Sequence, residues 1–293
     1  MKLVFLYFSG TGNTDYVARY MARELASRPS LPVEIELRSL EWQPAQALSG
    51  FDLLVVGFPV YAGDCPPFVQ TYISHLPPGQ GRGAFVFCTK GAYAAGAVRS
   101  TLQRLAERGY TPLGGVSVTM PGTDGLSMVS KDSWLVRKAL EKDYDHIRDA
   151  DRLVERIAAV VSQLDAGRSI EALRQTPRSY PGLSLVDGLW ASAYKASEQW
   201  FVSRLHVDDR CDGCGLCARI CPVDNIEMRS ERPQFDEHCV LCLRCLHACP
   251  QEAIQIGKLT LNKCRWHGPR GDFKPLRLRP REGSAELQLG PSD

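Results

Sequence analysis

The sequence predicts an α/β fold in two parts, a doubly wound parallel sheet of five strands followed by a small α+β domain rich in cysteine. Apolar segments alternate with helix-like segments in the N-terminal half, and one cysteine pattern occurs twice in the C-terminal third. The chain has 293 residues, which is enough for two domains. Of these residues 44% are hydrophobic and 23% are charged, as in ordinary globular proteins. The net charge of +2 gives no indication of nucleic-acid binding.

The predicted strands are mostly short apolar runs, which are typical of strands buried on both faces of a parallel sheet. In order they are Lys2–Phe8, Val33–Leu37, Leu53–Phe58, Ala84–Cys88 and Gly115–Met120. The second of them alternates apolar with polar residues, which indicates an edge strand. Because right-handed crossovers bring the loops after parallel strands to one edge of the sheet, ligands are expected to bind at that edge.

Three predicted helices lie between these strands, at about Thr14–Ala26, from Pro66 onward and at Ala95–Glu107, and a fourth follows the last strand at Ile147–Leu164. Thr14 is a suitable N-cap for the first helix. The proline pair Pro66 and Pro67 is favourable at the start of the second. The last helix is strongly amphipathic and is predicted to close a domain of residues 1–168.

The loop after the first strand contains the clearest candidate binding motif of the N-terminal half. It reads Ser9, Gly10, Thr11, Gly12, Asn13, Thr14. It is not a dinucleotide motif, since Asp15 stands where the third glycine would be, and no Gly-Lys-Ser/Thr follows as in a Walker A motif. Hydroxyl and amide side chains, backbone N–H groups and the helix dipole together favour one terminal phosphate. An ordinary turn with a helix cap is the alternative.

The cysteine spacing C-x2-C-x2-C-x3-C-P occurs twice, 28 positions apart. It comprises Cys211, Cys214, Cys217 and Cys221 before Pro222, and Cys239, Cys242, Cys245 and Cys249 before Pro250. This spacing is found in proteins with two iron–sulfur clusters, in which three thiolates wrap one cubane and the fourth reaches the other. The expected ligands are therefore Cys211, Cys214, Cys217 and Cys249 for cluster 1, and Cys239, Cys242, Cys245 and Cys221 for cluster 2.

Two zinc sites are the alternative, because C-x2-C pairs also occur in zinc ribbons. Zinc does not explain two identical quartets that each end at a proline. A disulfide framework is less favoured, since the chain opens without a signal segment and a reducing cytoplasmic environment is expected. No apolar run approaches the ~20 residues that a membrane helix needs. Of the other cysteines, Cys65, Cys88 and Cys264, Cys88 closes an apolar run and is most simply a core residue.

Placed directly after the first strand, the loop from Ser9 to Thr14 resembles the phosphate loop of flavodoxins, which holds the phosphate of FMN. The resemblance implies that the loops after the third and fourth predicted strands enclose the flavin ring, often with aromatic side chains. The corresponding candidates are Pro59, Val60, Tyr61 and Ala62 in one loop, and Thr89, Lys90, Gly91, Tyr93 and Gly96 in the other. Tyr61 and Tyr93 would stack on the ring, and Lys90 would place a positive charge near it. Packing of each tyrosine against the core is the alternative.

A flavodoxin module followed by a two-cluster ferredoxin module resembles a family of prokaryotic iron–sulfur flavoproteins that are frequent in anaerobes. The resemblance implies a flavodoxin-like FMN domain at residues 1–168 and a two-[4Fe-4S] ferredoxin domain at 207–264. Between them, residues 169–206 are predicted to form a linker and docking helix. Residues 265–293 are basic and rich in glycine and proline, which predicts a disordered tail, with a binding patch as the alternative. Residues 122–145 exceed what a minimal flavodoxin needs. They are interpreted as a surface insertion, a cover over the flavin or a surface that receives a partner.

Apolar residues recur at helical spacing between Val186 and Leu205, which predicts a helix that packs the two modules together. A membrane-surface helix is the alternative, but only Lys195 and Arg204 supply positive charge.

The two modules together imply electron transfer between two [4Fe-4S] clusters and FMN, which couples one-electron carriers to a two-electron flavin. The expected partner is a redox protein, such as a ferredoxin, or a small-molecule oxidant, and no nucleic acid is expected. One alternative is an FMN-dependent reductase of a quinone, disulfide or tetrapyrrole. Another is a non-catalytic redox sensor, although the sequence contains no DNA-binding motif. No pyridine-nucleotide fingerprint is present either.

Overall fold

The computed structural model describes residues 1–41, 44–175 and 197–278. Most of the predicted docking helix lies outside the described residues, and within it residues 197–202 are helical. No helix in the described ranges is long and apolar enough to cross a membrane.

Five parallel strands form one sheet in the order β2-β1-β3-β4-β5. They are β1 (Lys2–Tyr7), β2 (Glu34–Ser39), β3 (Leu53–Pro59), β4 (Gly83–Lys90) and β5 (Thr111–Thr119). This is the order of a doubly wound, flavodoxin-like sheet, and the predicted fold class is confirmed. The order reverses between β1 and β3, so the switch point at which such folds bind ligands lies beside the loop that follows β1.

Helices cover both faces of the sheet. They are α1 (Asn13–Ala26), α2 (Pro67–Ser74), α3 (Ala97–Glu107), α4 (Thr123–Leu126), α5 (Trp134–Leu140) and α6 (Arg148–Asp165). Phe5 and Tyr7 pack into one core with α1 and α6, whereas Leu6 and Phe8 pack into a second core with α2 and α3. Because β1 contributes to both cores, its sequence is apolar at nearly every position.

Two local predictions in this domain are wrong. Thr14 is not the N-cap of α1: the helix begins at Asn13 after Gly12, whose φ of 101° favours glycine, and no side chain caps it. Strand β5 begins at Thr111 rather than Gly115. Its early part escaped prediction because glycine is unusual within strands, and Gly114 here accompanies a shift in register against β4.

The cysteine-rich part contains two small antiparallel sheets and two short helices. Its elements are β6 (Leu205–Val207), α7 (Leu216–Arg219), β7 (Ile226–Arg229), β8 (Arg232–Phe235), α8 (Arg244–Ala248) and β9 (Ile254–Ile256). Strand β6 pairs with β9, and β7 pairs with β8. Leu246, Ile254 and Ile256 form the centre of its small hydrophobic core.

Residues 264–273, here called the C-terminal segment, pack against the sheet domain, which corrects the expectation of a disordered tail from residue 265. Trp266 is 3% exposed, and its Nε1 donates to Asn13 Oδ1 at 3.1 Å. Phe273 Cγ and Gly268 Cα lie 2.7 and 3.0 Å from the position that a Cβ on Gly12 would occupy. The expectation rested on glycine, proline and arginine content and overlooked the two aromatic anchors.

Candidate cofactor sites

The eight cysteines of the repeated pattern line two separate cavities. Cys211, Cys214, Cys217 and Cys249 line one cavity, here called cavity 1. Cys221, Cys239, Cys242 and Cys245 line another, here called cavity 2. Each cavity combines three cysteines of one quartet with the fourth of the other, which is the grouping that the crossed ligand sets require. That these thiols ligate iron stays a prediction.

The fourth cysteine of each quartet is held in the same way. The backbone N–H of Asn225 donates to Cys221 Sγ at 3.2 Å, and that of Ala253 donates to Cys249 Sγ at 3.3 Å. Asn225 and Ala253 are equivalent in the two repeats, 28 positions apart. Hydrogen bonds to sulfur orient a ligand and tune the metal group that it binds.

The side chain of Asn225 distinguishes cavity 2 from cavity 1. Asn225 lines cavity 2 and is 1% exposed, and neither its Nδ2 nor its Oδ1 has a hydrogen-bond partner in the described structure. A buried amide without partners costs ~1–3 kcal/mol. A cluster in cavity 2 would offer sulfur acceptors to Nδ2, so the residues present fit an iron–sulfur group.

The cysteines of both cavities are in low-polarity surroundings. Burial raises the pKa of the Cys242 thiol to about 12, against a smaller opposing effect of the Arg244 charge, and burial raises that of Cys217 to about 11. These thiols are therefore neutral until a metal group displaces their protons. Among the described residues, no three His, Cys, Asp or Glu side chains are placed to hold a single metal ion.

The predicted phosphate loop lies between β1 and α1, at the switch point of the sheet. The hydrogen bonds of α1 begin with Tyr16 N, which donates to Gly12 O at 2.9 Å. Gly10, Thr11, Asn13 and Thr14 are buried residues, and among the described residues their backbone N–H groups donate none of the backbone hydrogen bonds of this loop. Buried donors at a helix N-terminus fit a phosphate group.

The side chains of this loop contact neighbouring segments of the protein. Thr11 Oγ1 donates to Thr123 Oγ1 at 3.1 Å, and Thr14 Oγ1 lies 2.8 Å from Thr89 Oγ1. Asn13 Nδ2 donates to the Pro121 carbonyl at 2.8 Å. These contacts shape the loop, and binding of a phosphate by the hydroxyls and the backbone N–H groups stays a prediction. A hydroxyl can accept and donate at once, so these contacts do not prevent phosphate binding.

The other predicted FMN residues lie at the same edge of the sheet. Val60 N donates to Thr89 O at 2.9 Å, which joins the loop after β3 to β4. Tyr61 and Asp64 exchange two backbone hydrogen bonds of 3.0 Å across a tight turn that includes Ala62 at φ 51°. The Asp64 carboxylate anchors this turn to α3 by accepting from Ser100 Oγ at 2.6 Å.

The loop after β4 is more open than the loop after β3. Tyr93 is 39% exposed, Gly91 is exposed, and Gly96 immediately precedes α3. Lys90 Nζ donates to the Ala92 carbonyl at 3.4 Å, so its charge remains within the loop. The structure brings both tyrosine loops to the edge that carries the phosphate loop, and contact of either tyrosine with FMN stays a prediction.

A buried arginine joins the cysteine-rich part to the phosphate loop, and sequence analysis missed it. Arg244 is 1% exposed, and its guanidinium donates to the carbonyls of Ser9 at 2.6 Å and Gly10 at 3.1 Å. Its charge is paired with the Glu41 carboxylate through two contacts of 2.7 Å. The sequence contains one indication of this role, because Arg244 is charged where the first repeat has the apolar Leu216.

The Arg244 side chain keeps its positive charge although it is buried. Burial by itself would lower the pKa of the Arg244 guanidinium, but the Glu41 carboxylate more than offsets this and the pKa is raised. The guanidinium carbon also lies 5.2 Å from the centre of the Phe8 ring, a favourable cation–π distance. Arg244 is therefore charged, and its position is defined from both parts of the chain.

Residues 122–145 complete the junction between the two parts. His247 Nε2 donates to the Thr123 carbonyl at 3.2 Å, while its Nδ1 accepts from Trp266 N at 3.0 Å. Burial lowers the pKa of His247 to about 3, in keeping with this neutral tautomer. Lys131 also forms an ion pair of 2.8 Å with Glu252. In the described residues this region contacts the cysteine-rich part of the same chain, which none of the three interpretations stated, and its role stays a prediction.

Comparisons with known proteins agree with this division. Residues 4–111 match the family described as flavodoxin domain, and residues 210–253 match the family described as 4Fe-4S dicluster domain. A solved flavodoxin from the domain Archaea is 18% identical with a TM-score of 0.40, over 55% of this chain and 99% of that protein. Flavodoxin 2 from Bacillus cereus is 21% identical with a TM-score of 0.41, over 54% and 99%. No curated protein matches the chain.

The likeness to these solved structures concerns the fold alone. The two family matches coincide with the two domains that the sequence predicts, and the domains are assigned from these matches. A flavodoxin domain implies FMN, a 4Fe-4S dicluster domain implies iron–sulfur clusters, and both serve electron transfer. The chain therefore contains an N-terminal flavodoxin domain and a C-terminal 4Fe-4S dicluster domain.

Proposed function

We propose that the protein couples one-electron transfer through two [4Fe-4S] clusters to a two-electron flavin, FMN. The crossed cysteine sets would hold the clusters, and the phosphate loop with the loops after β3 and β4 would hold FMN. When bound, the clusters exchange single electrons and FMN stores one or two. The chain's own residues bind these groups, orient them and control their exposure to solvent.

The observation that carries the proposal is the contact between the second cysteine loop and the phosphate loop. A Cβ on Gly10 would lie 3.0 Å from the Cys242 carbonyl oxygen and 3.5 Å from Cys242 Cβ. The same point is 2.6 Å from the Tyr61 hydroxyl. A predicted ligand of cluster 2 thus meets the phosphate loop and one of the tyrosine loops, which suits transfer between neighbouring groups.

The exposure of the cysteines favours an order of electron transfer in which the group in cavity 1 exchanges electrons with the partner protein. Cys214 of cavity 1 is exposed, whereas Cys221 of cavity 2 is 7% exposed. Electrons from a partner protein would therefore pass by way of the first set of cysteines to the second and then to the flavodoxin domain.

The open loop after β4 favours a protein partner over a small-molecule substrate. Tyr93 and its neighbours Gly91 and Ala92 are exposed, and a reductase of small molecules would be expected to enclose the flavin edge in a pocket. We therefore retain electron transfer to or from a redox protein as the function.

Anaerobic purification followed by metal, flavin and rapid-kinetic analysis tests the proposal. We expect about eight iron and eight sulfide per chain, and FMN on acid release. In stopped-flow experiments, reduced ferredoxin should reduce the flavin faster than NADH or NADPH does. Zinc in place of iron, or FAD as the sole flavin, would overturn the assignment of the sites. Iron near four per chain would mean that the protein holds one cluster instead of two.

A further inference from the structure

Arg244 and Glu41 form a buried ion pair, and each nitrogen of the Arg244 guanidinium group donates a hydrogen bond. Arg244 and Glu41 side chains are 1% and 4% exposed. The acceptors of Arg244 are Ser9 O, Gly10 O, Ile220 O and both carboxylate oxygens of Glu41. A buried ion pair is favourable only when its remaining donors and acceptors are also satisfied, so the position of this side chain is tightly specified.

On one side, Arg244 contacts a segment of chain that leads into cavity 2. Arg244 lies in the chain between Cys242 and Cys245, two of the cysteines that line this cavity. Its Nη1 also donates at 2.9 Å to the carbonyl of Ile220, which directly precedes Cys221. The arginine therefore connects the quartet that supplies three cysteines with the segment that supplies the fourth.

The contacts on the other side belong to the predicted FMN phosphate loop. Ser9 and Gly10 are the first two residues of that loop, and their carbonyls accept from Nη2 and Nε. Carbonyls held toward Arg244 direct the backbone of the loop, and with it the N–H groups that follow. The equivalent position in the first repeat is Leu216, which lines cavity 1 and cannot make such contacts.

We propose that Arg244 couples the two cofactor sites, so that assembly of the cluster in cavity 2 increases the affinity of the phosphate loop for FMN. This inference rests on the proposed function. Ordering of the cysteines around a cluster fixes Ile220 and α8, these fix Arg244, and Arg244 fixes the loop. Linkage is reciprocal, so bound FMN must equally stabilise the cluster in cavity 2. Arg244 acts here as a positioning residue.

The test measures FMN affinity with and without clusters. The dissociation constant is obtained anaerobically from quenching of FMN fluorescence, for cluster-loaded and chelator-stripped full-length protein. We expect removal of the clusters to weaken FMN binding of the wild type about tenfold, within the range of couplings between sites. In Arg244→Lys, which keeps the charge but loses the planar fork, the two constants should differ less than about threefold.

Two variants serve as matched controls. Arg219→Lys changes an arginine of the first repeat that donates to Cys214 O of its own loop at 3.2 Å. Lys131→Gln removes a different ion pair between the two parts, with Glu252. Both should keep the tenfold dependence of the wild type. If the Arg244 variant does not fold, the double variant Arg244→Met with Glu41→Gln removes both charges together and should show the same loss of coupling.

The reciprocal measurement uses the cluster as the reporter. We expect saturating FMN to slow the chelator-induced loss of the EPR signal of cluster 2 in the wild type, and not in Arg244→Lys. Equal FMN constants with and without clusters in the wild type, or full coupling in Arg244→Lys, would overturn the inference alone, since FMN still binds. Failure of the loaded wild type to bind FMN at all would overturn the proposed function and the inference together.

Discussion

At the level of single residues, the two repeats differ at positions close to their cysteines. Arg244 replaces Leu216, and Asn225 stands where the other repeat has Ala253. The ligand spacing is identical, so the two cavities can hold the same group in different polar surroundings. Such differences change the stability of the reduced, more negative state of a cluster and hence its reduction potential.

Replacing Asn225 with alanine should lower the reduction potential of cluster 2. The amide Nδ2 is buried in the wall of cavity 2 without another partner in the described structure, and a donor to sulfur stabilises the reduced state. A tenfold change in the equilibrium corresponds to a shift of about 59 mV for one electron. An EPR-monitored redox titration measures both clusters, and cluster 1 serves as the internal control. An unchanged potential of cluster 2 would show that the amide does not interact with it.

The reverse exchange provides the matched variant. Ala253→Asn places an amide at the equivalent position of cavity 1 and should raise the potential of cluster 1 while leaving cluster 2 unchanged.

At the level of elements, each cysteine loop uses left-handed backbone positions to turn three cysteines toward one cavity. In the first loop these positions are Gly213 and Gly215, with φ of 74° and 67°. In the second they are Leu241 and Leu243, with φ of 46° and 57°, a conformation that is unfavourable for a side chain of this kind. Both leucines contribute to the local hydrophobic core, which offsets the strain.

Replacing Cys221 with alanine should remove cluster 2 and spare cluster 1. The reason is that Cys221 lines the cavity of Cys239, Cys242 and Cys245, although it belongs to the other quartet. Iron should fall toward about four per chain, and the EPR signal of one cluster should persist. Cys249→Ala is the matched control and should remove cluster 1 instead. Loss confined to the cluster of the first three cysteines in Cys221→Ala would refute crossed ligation.

Replacing Trp266 with phenylalanine should weaken FMN binding. The change preserves a buried ring but removes the donor to Asn13 Oδ1 at the start of α1, leaving a buried acceptor unpaired at ~1–3 kcal/mol. We expect FMN affinity to fall about tenfold, since 1.4 kcal/mol is one decade. Fluorescence titration measures it, with the exposed neighbour His267→Ala as control. Equal affinity in the two variants would mean that the C-terminal segment does not support the loop.

Elements with a local pattern were predictable from sequence, and contacts between distant segments were not. The apolar strands and the cysteine loops follow from periodicity and spacing. Most predicted ends differ from the observed ones by one or two residues, and the start of β5 differs by more. Arg244 and Trp266 escaped because each contacts a residue more than 230 positions away. A local sequence pattern cannot indicate a contact between such distant residues. The only local indication is that Arg244 is charged where the first repeat has the apolar Leu216.

At the level of the whole molecule, the cysteines of the two cavities differ in their surroundings. Cys242 of cavity 2 meets Gly10, whereas the exposed Cys214 belongs to cavity 1. Because electron transfer weakens steeply with distance, the proposed function predicts that cluster 1 accepts electrons from a partner protein and that cluster 2 passes them to the flavin. Loss of cluster 1 should therefore interrupt electron flow without disturbing the flavin site.

Replacing Cys249 with alanine should leave FMN bound but abolish its rapid reduction by reduced ferredoxin. Cys249 lines cavity 1 and lies outside the flavodoxin match, so the phosphate loop and the Arg244 contacts are expected to persist. Dithionite, a small reductant, should still reduce the flavin slowly because the loop after β4 is exposed. Stopped-flow absorbance of the flavin under strict anaerobiosis measures both rates, with Cys264→Ala, a cysteine outside both cavities, as control. Equal rates of flavin reduction by ferredoxin in wild type and Cys249→Ala would place cluster 1 outside the electron path and assign the first cysteine loop a structural role.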